Sequence, residues 1–162
     1  MIDPCSNANQ DFLIDASTMK SHSLTFGGVV VEAPLSWHDI TEEIDAAEPP
    51  FTLADTSKDV GALQFSIARH ESGPPPQTSP EELLGMAKDL GAYHGLTDRH
   101  DEVMESGPPM LGAVSYLDAD FIRVWYVSDG RNFAKITFTC PSGMQFEQLA
   151  ECETIVRSLR FL

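Results

Sequence analysis

Four side chains that can ligate metals lie close together in the segment HGLTDRHD, at His94, Asp98, His100 and Asp101. Imidazole and carboxylate groups both bind divalent metal ions. However, their spacing matches no common zinc pattern, and the segment follows a predicted helix, where polar loop residues are ordinary. We therefore predict no metal site.

Residues for nucleophilic or phosphate chemistry are not arranged in a known pattern. The sequence has no G-x-S-x-G elbow, no G-x-G-x-x-G turn and no P-loop. Cys140 precedes Pro141 and has no histidine near it in the sequence. We predict no catalytic residue, no cofactor and no enzymatic activity. The alternative is a small-molecule-binding domain or an enzyme with an unrecognised site.

A dense acidic run is the candidate for partner binding. Its carboxylates belong to Asp39, Glu42, Glu43, Asp45 and Glu48. Residues 38–59 contain seven acidic residues and one lysine, a local charge of −6. Such a run would steer a basic protein towards it, but it is also typical of the solvated face of an amphipathic helix. Trp37, just before the run, is either an interface anchor or a core residue.

The whole chain is acidic, because ten Lys and Arg face twenty-five Asp and Glu, a formal net charge of −15. This charge repels DNA, RNA and anionic lipid, so we predict no nucleic-acid or membrane partner. It favours another protein with a basic face, although solubility alone is an alternative explanation. We predict a cytoplasmic protein for two reasons. The cysteines are few and odd in number, which fits a reducing compartment, and we recognise neither a signal peptide nor an apolar membrane span.

The length of 162 residues is that of one domain. Residues 1–22 are polar and aperiodic, so we assign them to a flexible N-terminal extension, with Met19 as an alternative start. Residues 23–162 then form a single domain. Whether Cys140 and Cys152 pair, and the oligomeric state, stay open.

The first half of the domain predicts a hairpin around Gly27-Gly28. Residues 38–50 have apolar side chains at helical spacing, which predicts a short amphipathic helix. Strands are expected at residues 51–54 and 61–70. A helix then begins at Ser79, which forms a capping box with Glu82.

The second half predicts strands at residues 99–106, 111–117, 121–128 and 131–140, the last two joined by a two-residue turn at Asp129-Gly130. The strand 121–128 is apolar on both faces, so it is expected to be central and covered on both sides. Arg123 and Lys135 either ring a polar pocket, lie near strand ends or pair with neighbouring acids. A final helix is expected from a Ser142 capping box, with Arg157 and Arg160 in its last turn.

Strand runs separated by helices, with antiparallel turns, indicate the α+β class. Four segments carry a more specific resemblance. They are P-L-S-W at 34–37, the strand at 61–68 before a crossing helix, N-F-A-K-I-T at 132–137, and I-V-R-S-L-R-F at 155–161. Together they resemble the PsbP-like superfamily, which includes PsbP, the nuclear-import Mog proteins, the DcrB lipoproteins and the Eag-type chaperones of type VI secretion.

The resemblance covers residues 23–162. It implies an antiparallel sheet with helices packed on both faces, an α/β/α sandwich, and a binding or adaptor protein. Residues 1–18 have neither a basic nor an apolar segment of the kind that exports the DcrB and PsbP branches, so we expect no export. We therefore expect a non-enzymatic, acidic protein-binding domain, specifically a bacterial immunity protein that neutralises a basic toxin. The alternative is a secretion-associated effector chaperone of the Eag type, which would need an apolar groove on the sheet.

Overall fold

The computed structural model describes residues 20–162, which form ten strands and two α-helices. The strands are β1 (Ser21–Phe26), β2 (Val29–Pro34), β3 (Trp37–Asp39), β4 (Phe51–Asp55), β5 (Ala62–Ala68), β6 (Arg99–Glu105), β7 (Met110–Leu117), β8 (Asp120–Ser128), β9 (Phe133–Pro141) and β10 (Arg160–Phe161). The helices are α1 (Pro80–Tyr93) and α2 (Leu149–Arg157). Residues 1–19 of the expected extension, with Met19 and Cys5, lie outside the described residues, whereas Ser21 and His22 pair with β2.

The larger sheet has seven strands in the order β3-β4-β5-β9-β8-β7-β6, and every neighbouring pair is antiparallel. Strand β8 lies inside the sheet, with Val124 buried on one face and Trp125 on the other. The expectation of a central strand covered on both sides is met. Because side chains alternate along a strand, each face of this sheet needs its own cover.

Helix α1 covers part of one face, over β6, β7 and β8. Its buried residues Leu84 and Ala87 pack against Val114 and Val124. Gly112 permits this close approach, since a Cβ at that position would meet the backbone of α1. The helix begins as predicted, with the hydroxyl of Ser79 accepting the N–H of Glu82 at 3.2 Å.

The opposite face is covered by α2 and by a three-stranded sheet in the order β1-β2-β10. The β1–β2 turn uses Gly27 and Gly28 at φ 57° and 82°, a region that glycine enters without strain. Between the layers lies the main apolar core, which includes Trp37, Phe65 and Trp125. The α+β class with helices on both faces of an antiparallel sheet is therefore confirmed, and the small sheet shares one face with α2.

The predicted helix at residues 38–50 is wrong. Only Thr41–Glu43 form a single 3-10 turn, and none of its residues is buried. The chain instead continues the strand pairing, because the N–H of Ile40 donates to the carbonyl of Thr52 at 2.9 Å. With no buried face to stabilise it and two prolines at its end, a short helix has little in its favour here.

Two other local predictions are also corrected. The β8–β9 connection has four residues, and the Asp129 carboxylate accepts the N–H groups of Arg131 and Asn132 at 2.9 and 2.7 Å. The last helix begins at Leu149, after a 3-10 turn at Gln145–Glu147. Arg157 lies in its last turn as predicted, but Arg160 belongs to β10, which pairs with β2.

Candidate functional site

We call residues 39–48 the acidic loop; it begins at the last residue of the edge strand β3, leads towards β4 and carries the five predicted partner-binding carboxylates. All five side chains, those of Asp39, Glu42, Glu43, Asp45 and Glu48, are exposed. No ion pair within residues 20–162 involves any of them. The loop therefore presents uncompensated negative charge to solvent, which attracts a basic surface at moderate ionic strength.

The first turn of the acidic loop is fixed by hydrogen bonds. The Asp39 carboxylate accepts the backbone N–H of Thr41 at 3.0 Å and also its hydroxyl. The Thr41 hydroxyl oxygen in turn accepts the N–H of Thr52 in β4 at 2.9 Å. A shallow cavity of about 470 Å³ opens here, with Ile40 and Phe51 among its lining residues. The loop thus combines acidic groups with apolar surface.

Trp37 lies next to the acidic loop but belongs to the core. Its side chain is fully buried, and its indole N–H donates to the Glu151 carboxylate of α2 at 2.6 Å. It is therefore unavailable as an interface anchor. Trp37 is therefore a core residue and not an interface anchor, the other alternative that the sequence left open.

Arg123 and Lys135, the two cations predicted in the central strands, lie on opposite faces of the sheet. Arg123 is 3% exposed and faces α2. Its Nε lies 2.5 Å from Glu153, at an angle that makes the contact an ion pair and not a hydrogen bond. Its Nη1 donates to the Ser115 hydroxyl at 2.8 Å and to the Asp101 carbonyl at 2.9 Å.

Glu153 joins this buried arginine to a wider network. Its carboxylate also accepts the indole N–H of Trp125 at 3.1 Å and Nη1 of Arg157 at 2.6 Å. Arg157 reaches on to Glu105 of β6, and that hydrogen bond raises the pKa of Arg157. Because every charge has a partner, this network fastens α2 to the sheet and leaves no group directed at a ligand.

Lys135 lies on the other face, in a part of the sheet that α1 does not cover. In the strand register it stands between Ser66 of β5 and Tyr126 of β8. No ion pair within the described part of the chain involves it. Burial raises the pKa of Tyr126, whose hydroxyl is a hydrogen-bond donor at neutral pH. These three side chains are called the Ser-Lys-Tyr row.

A groove runs along α1 on both sides of this row, and we call it the sheet groove. Its upper cavity, of about 500 Å³, is lined by Ile67, Met86 and Phe133 among others. Its lower cavity, of about 280 Å³, is lined by apolar residues that include Leu90 and Ile122. Lys135 lines both cavities. The open face is thus neither fully polar nor fully apolar. Lys135 was singled out from the sequence, but the position of α1, which leaves this part of the sheet open, was not predicted.

The residues considered for metal and thiol chemistry are placed as follows. His100 lies 2.9 Å from Asp98, and Asp101 occupies a strained φ of 53° in an irregular part of β6. Among residues 20–162, no three His, Cys, Asp or Glu side chains form a group that could hold a metal ion. Cys140 and Cys152 are free and buried, and burial raises the pKa of both thiols.

No described helix is long and apolar enough to span a membrane.

Comparison with known proteins identifies the fold. No protein-family model matches the sequence, and no curated protein gives a significant match. The Saccharomyces cerevisiae Ran-binding protein Mog1p aligns with a TM-score of 0.59 at 11% identity, over 89% of this chain and 96% of that chain. The cyanobacterial PsbP (CyanoP) from Synechocystis sp. PCC 6803 aligns with a TM-score of 0.56 at 10% identity, over 99% of both chains. The chain has a PsbP/Mog1-like fold, as its sequence resemblance implied, and no subfamily is singled out.

Proposed function

We propose that this chain is a non-enzymatic protein-binding domain that docks a basic partner on its acidic loop. The observation that carries the proposal is the loop itself, where five exposed carboxylates lie within ten residues and none forms an ion pair with the described chain. The neighbouring apolar surface of Ile40 and Phe51 offers contact area for the aliphatic stems of lysine and arginine.

The fold supports a binding role. Mog1p, which has this fold, is a Ran-binding protein, so at least one protein of this architecture binds another protein. The partner class that fits the charge here is a basic toxin, neutralised by an immunity-type protein. Charge complementarity would speed their association and would suppress acidic competitors. We propose the cytoplasm as the compartment, in keeping with the free thiols of Cys140 and Cys152.

The test begins by joining carboxylates to partner lysines with a zero-length crosslinker in cells that make the protein. The crosslinked partner is identified, purified and titrated calorimetrically against the full chain. The loop variant E42Q/E43Q/D45N/E48Q should weaken binding at least about tenfold, because several interfacial ion pairs are lost together. It should also reduce the salt dependence of Kd. Asp39 is kept, since its carboxylate holds Thr41.

A matched control removes four exposed carboxylates outside residues 38–59, those of Glu71, Asp118, Asp120 and Glu147. This variant has the same net charge as the loop variant, and its Kd should stay within about twofold of the wild-type value, as expected for charges outside a contact. Equal weakening by both variants would show that net charge, and not the loop, attracts the partner. A partner without a basic face would contradict the proposal outright.

A second candidate function is that of a chaperone of the Eag type, which holds an apolar segment of a secreted protein. The apolar lining of the sheet groove favours it. In that case crosslinks would map to Glu82 and Lys135, the carboxylate and the amine that line the groove, and substitutions at Met86 and Phe133 would weaken binding. The loop variant would then bind the partner normally.

A further inference from the structure

The Ser-Lys-Tyr row has the groups needed to hold one carboxylate. Ser66, Lys135 and Tyr126 are direct neighbours across β5, β9 and β8. Two hydroxyls and an ammonium group therefore project from the same face of the sheet, and all three can donate hydrogen bonds. Hydrogen bonds from a charged donor to a carboxylate are the stronger class. Lys135 has no anionic partner among the described residues.

The surroundings of the row are apolar. Towards the start of α1, the upper cavity is lined by Ile67, Met86 and Phe133 and has the volume of an ordinary ligand pocket. A purely apolar occupant would cover the ammonium group of Lys135 without pairing it, which is costly. An occupant with one anionic group and one apolar chain satisfies both parts of the groove.

The charged residues near the groove indicate that the anionic group of an occupant would lie at Lys135. Glu82, in the first turn of α1, is the acidic residue among those lining the upper cavity. Its carboxylate repels an anion from that end. Asp89, also on α1, adds to the rise in the pKa of Tyr126 that burial causes, so a second negative charge lies near the row. His94 lines the lower cavity. Within the groove itself, Lys135 is the lysine or arginine that faces an occupant.

We propose that the sheet groove binds a medium-chain monocarboxylate, with its carboxylate on Lys135 and its alkyl chain in the upper cavity between Met86 and Phe133. This site is separate from the acidic loop and does not depend on the protein partner proposed above. Ser66 and Tyr126, which flank Lys135 in the strand register, offer hydroxyl donors on either side of the carboxylate. The ligand class is a fatty acid whose chain matches the groove, and octanoate is a suitable probe.

The test titrates the isotope-labelled full chain with octanoate, octanol and octylammonium, and follows backbone amide shifts by NMR. Octanoate should shift the amides of β5 and β9. Octanol should bind at least about tenfold more weakly, because it lacks the charge-assisted hydrogen bond. Octylammonium should not bind. This comparison needs no variant, so it stands even if a substitution disturbs folding.

Variants then locate the two ends of the ligand. Lys135→Met should reduce octanoate affinity to that of octanol, whereas Lys58→Met, at an exposed lysine outside the groove, should not change it. Met86→Asp should weaken octanoate binding at least about tenfold, because the apolar chain would have to displace water from the new carboxylate. Met104→Asp, at an exposed methionine of β6, is its control.

Several outcomes would overturn the proposal. They are equal affinity for all three probes, unchanged octanoate binding in Lys135→Met, and absence of shifts in β5 and β9. If octanoate causes no shifts but the purified protein partner shifts those amides, the groove is a protein site. The loop variant E42Q/E43Q/D45N/E48Q should bind octanoate normally, so failure of the loop proposal and failure of this one are distinguishable.

Discussion

The side chains on the two sides of strand β9 differ in burial, although they alternate along nine consecutive residues. Ala134, Ile136, Phe138 and Cys140 face α2 and the small sheet, and all four are buried. Phe133, Lys135, Thr137 and Thr139 face the side of α1 and stay at least partly exposed. The difference arises because the first side has a complete cover, whereas α1 covers only β6, β7 and β8.

The closed side and the open side therefore serve different purposes. Apolar burial on the closed side supplies most of the stabilisation, since it scales with the area removed from water. The open side of β9 itself adds little apolar burial and keeps polar groups beside an apolar groove, whereas α1 has its own core over β7 and β8. Substitutions on the two sides should separate these roles.

The largest contrast is expected between Phe138→Ala and Thr137→Ala, adjacent residues on opposite sides of β9. Phe138 is fully buried, so its truncation should lower the free energy of unfolding by about 3–5 kcal/mol. Thr137→Ala should cost less than about 1 kcal/mol. Urea unfolding of both variants measures the difference, and similar losses would show that the open side is also part of the core.

The buried network on the closed side should give the next largest effect. Glu153→Met leaves Arg123 buried without its anion and should cost about 3 kcal/mol. The double variant Arg123→Met/Glu153→Met should recover much of this loss, because no unpaired charge remains. A double-mutant cycle by chemical unfolding checks this. A double variant as unstable as the sum of the two singles would argue against a coupled pair.

Two glycines sharpen the comparison on the side of α1. Gly112→Ala places a Cβ against the backbone of Leu83 and Leu84, so the helix must move, at a cost of about 1–3 kcal/mol. Gly85→Ala in α1 meets no atom within 4 Å and should stabilise the protein by about 1 kcal/mol through helix propensity. Thermal unfolding should show shifts of opposite sign. Shifts of the same sign would mean that α1 is not seated on β7 as described.

The smallest expected effect is on pH dependence. Burial alone raises the pKa of Asp55, but hydrogen bonds from the Ser57 hydroxyl and N–H outweigh it, so the pKa of Asp55 is lowered. Asp129 likewise has a lowered pKa, because N–H donors from Asn132 and Arg131 outweigh burial. Their stabilisation is fully present above the unfolded pKa of about 4 and is lost as pH falls through the lower folded pKa.

Unfolding free energies measured between neutral pH and about pH 2 should therefore fall with acid, and Asp55→Asn/Asp129→Asn should fall less steeply. The control is Asp118→Asn/Asp120→Asn, at two exposed aspartates, whose unfolding free energy should fall with acid as steeply as that of the unsubstituted chain. An equally steep fall in Asp55→Asn/Asp129→Asn would place the acid sensitivity elsewhere.

The sequence by itself determined the elements whose signals are local. The Gly27-Gly28 turn, the Ser79 capping box and the alternation of the central strands each depend on residues within a few positions, so the α+β class followed from them. It also identified the acidic run and both central cations, because charged residues are read directly from the sequence, but it placed the run on a helix that the structure does not contain.

Only the tertiary structure decided which local preferences were realised. Residues 38–50 have helical spacing, yet Ile40 pairs with Thr52 because β4 offers its backbone there. Arg160 leaves the helix because β2 has a free edge for β10. Arg123 and Lys135 received opposite environments, one in a paired network and one in an open groove, because α2 and α1 cover different strands. Long-range partners are not encoded in spacing along the chain, so these assignments required the fold.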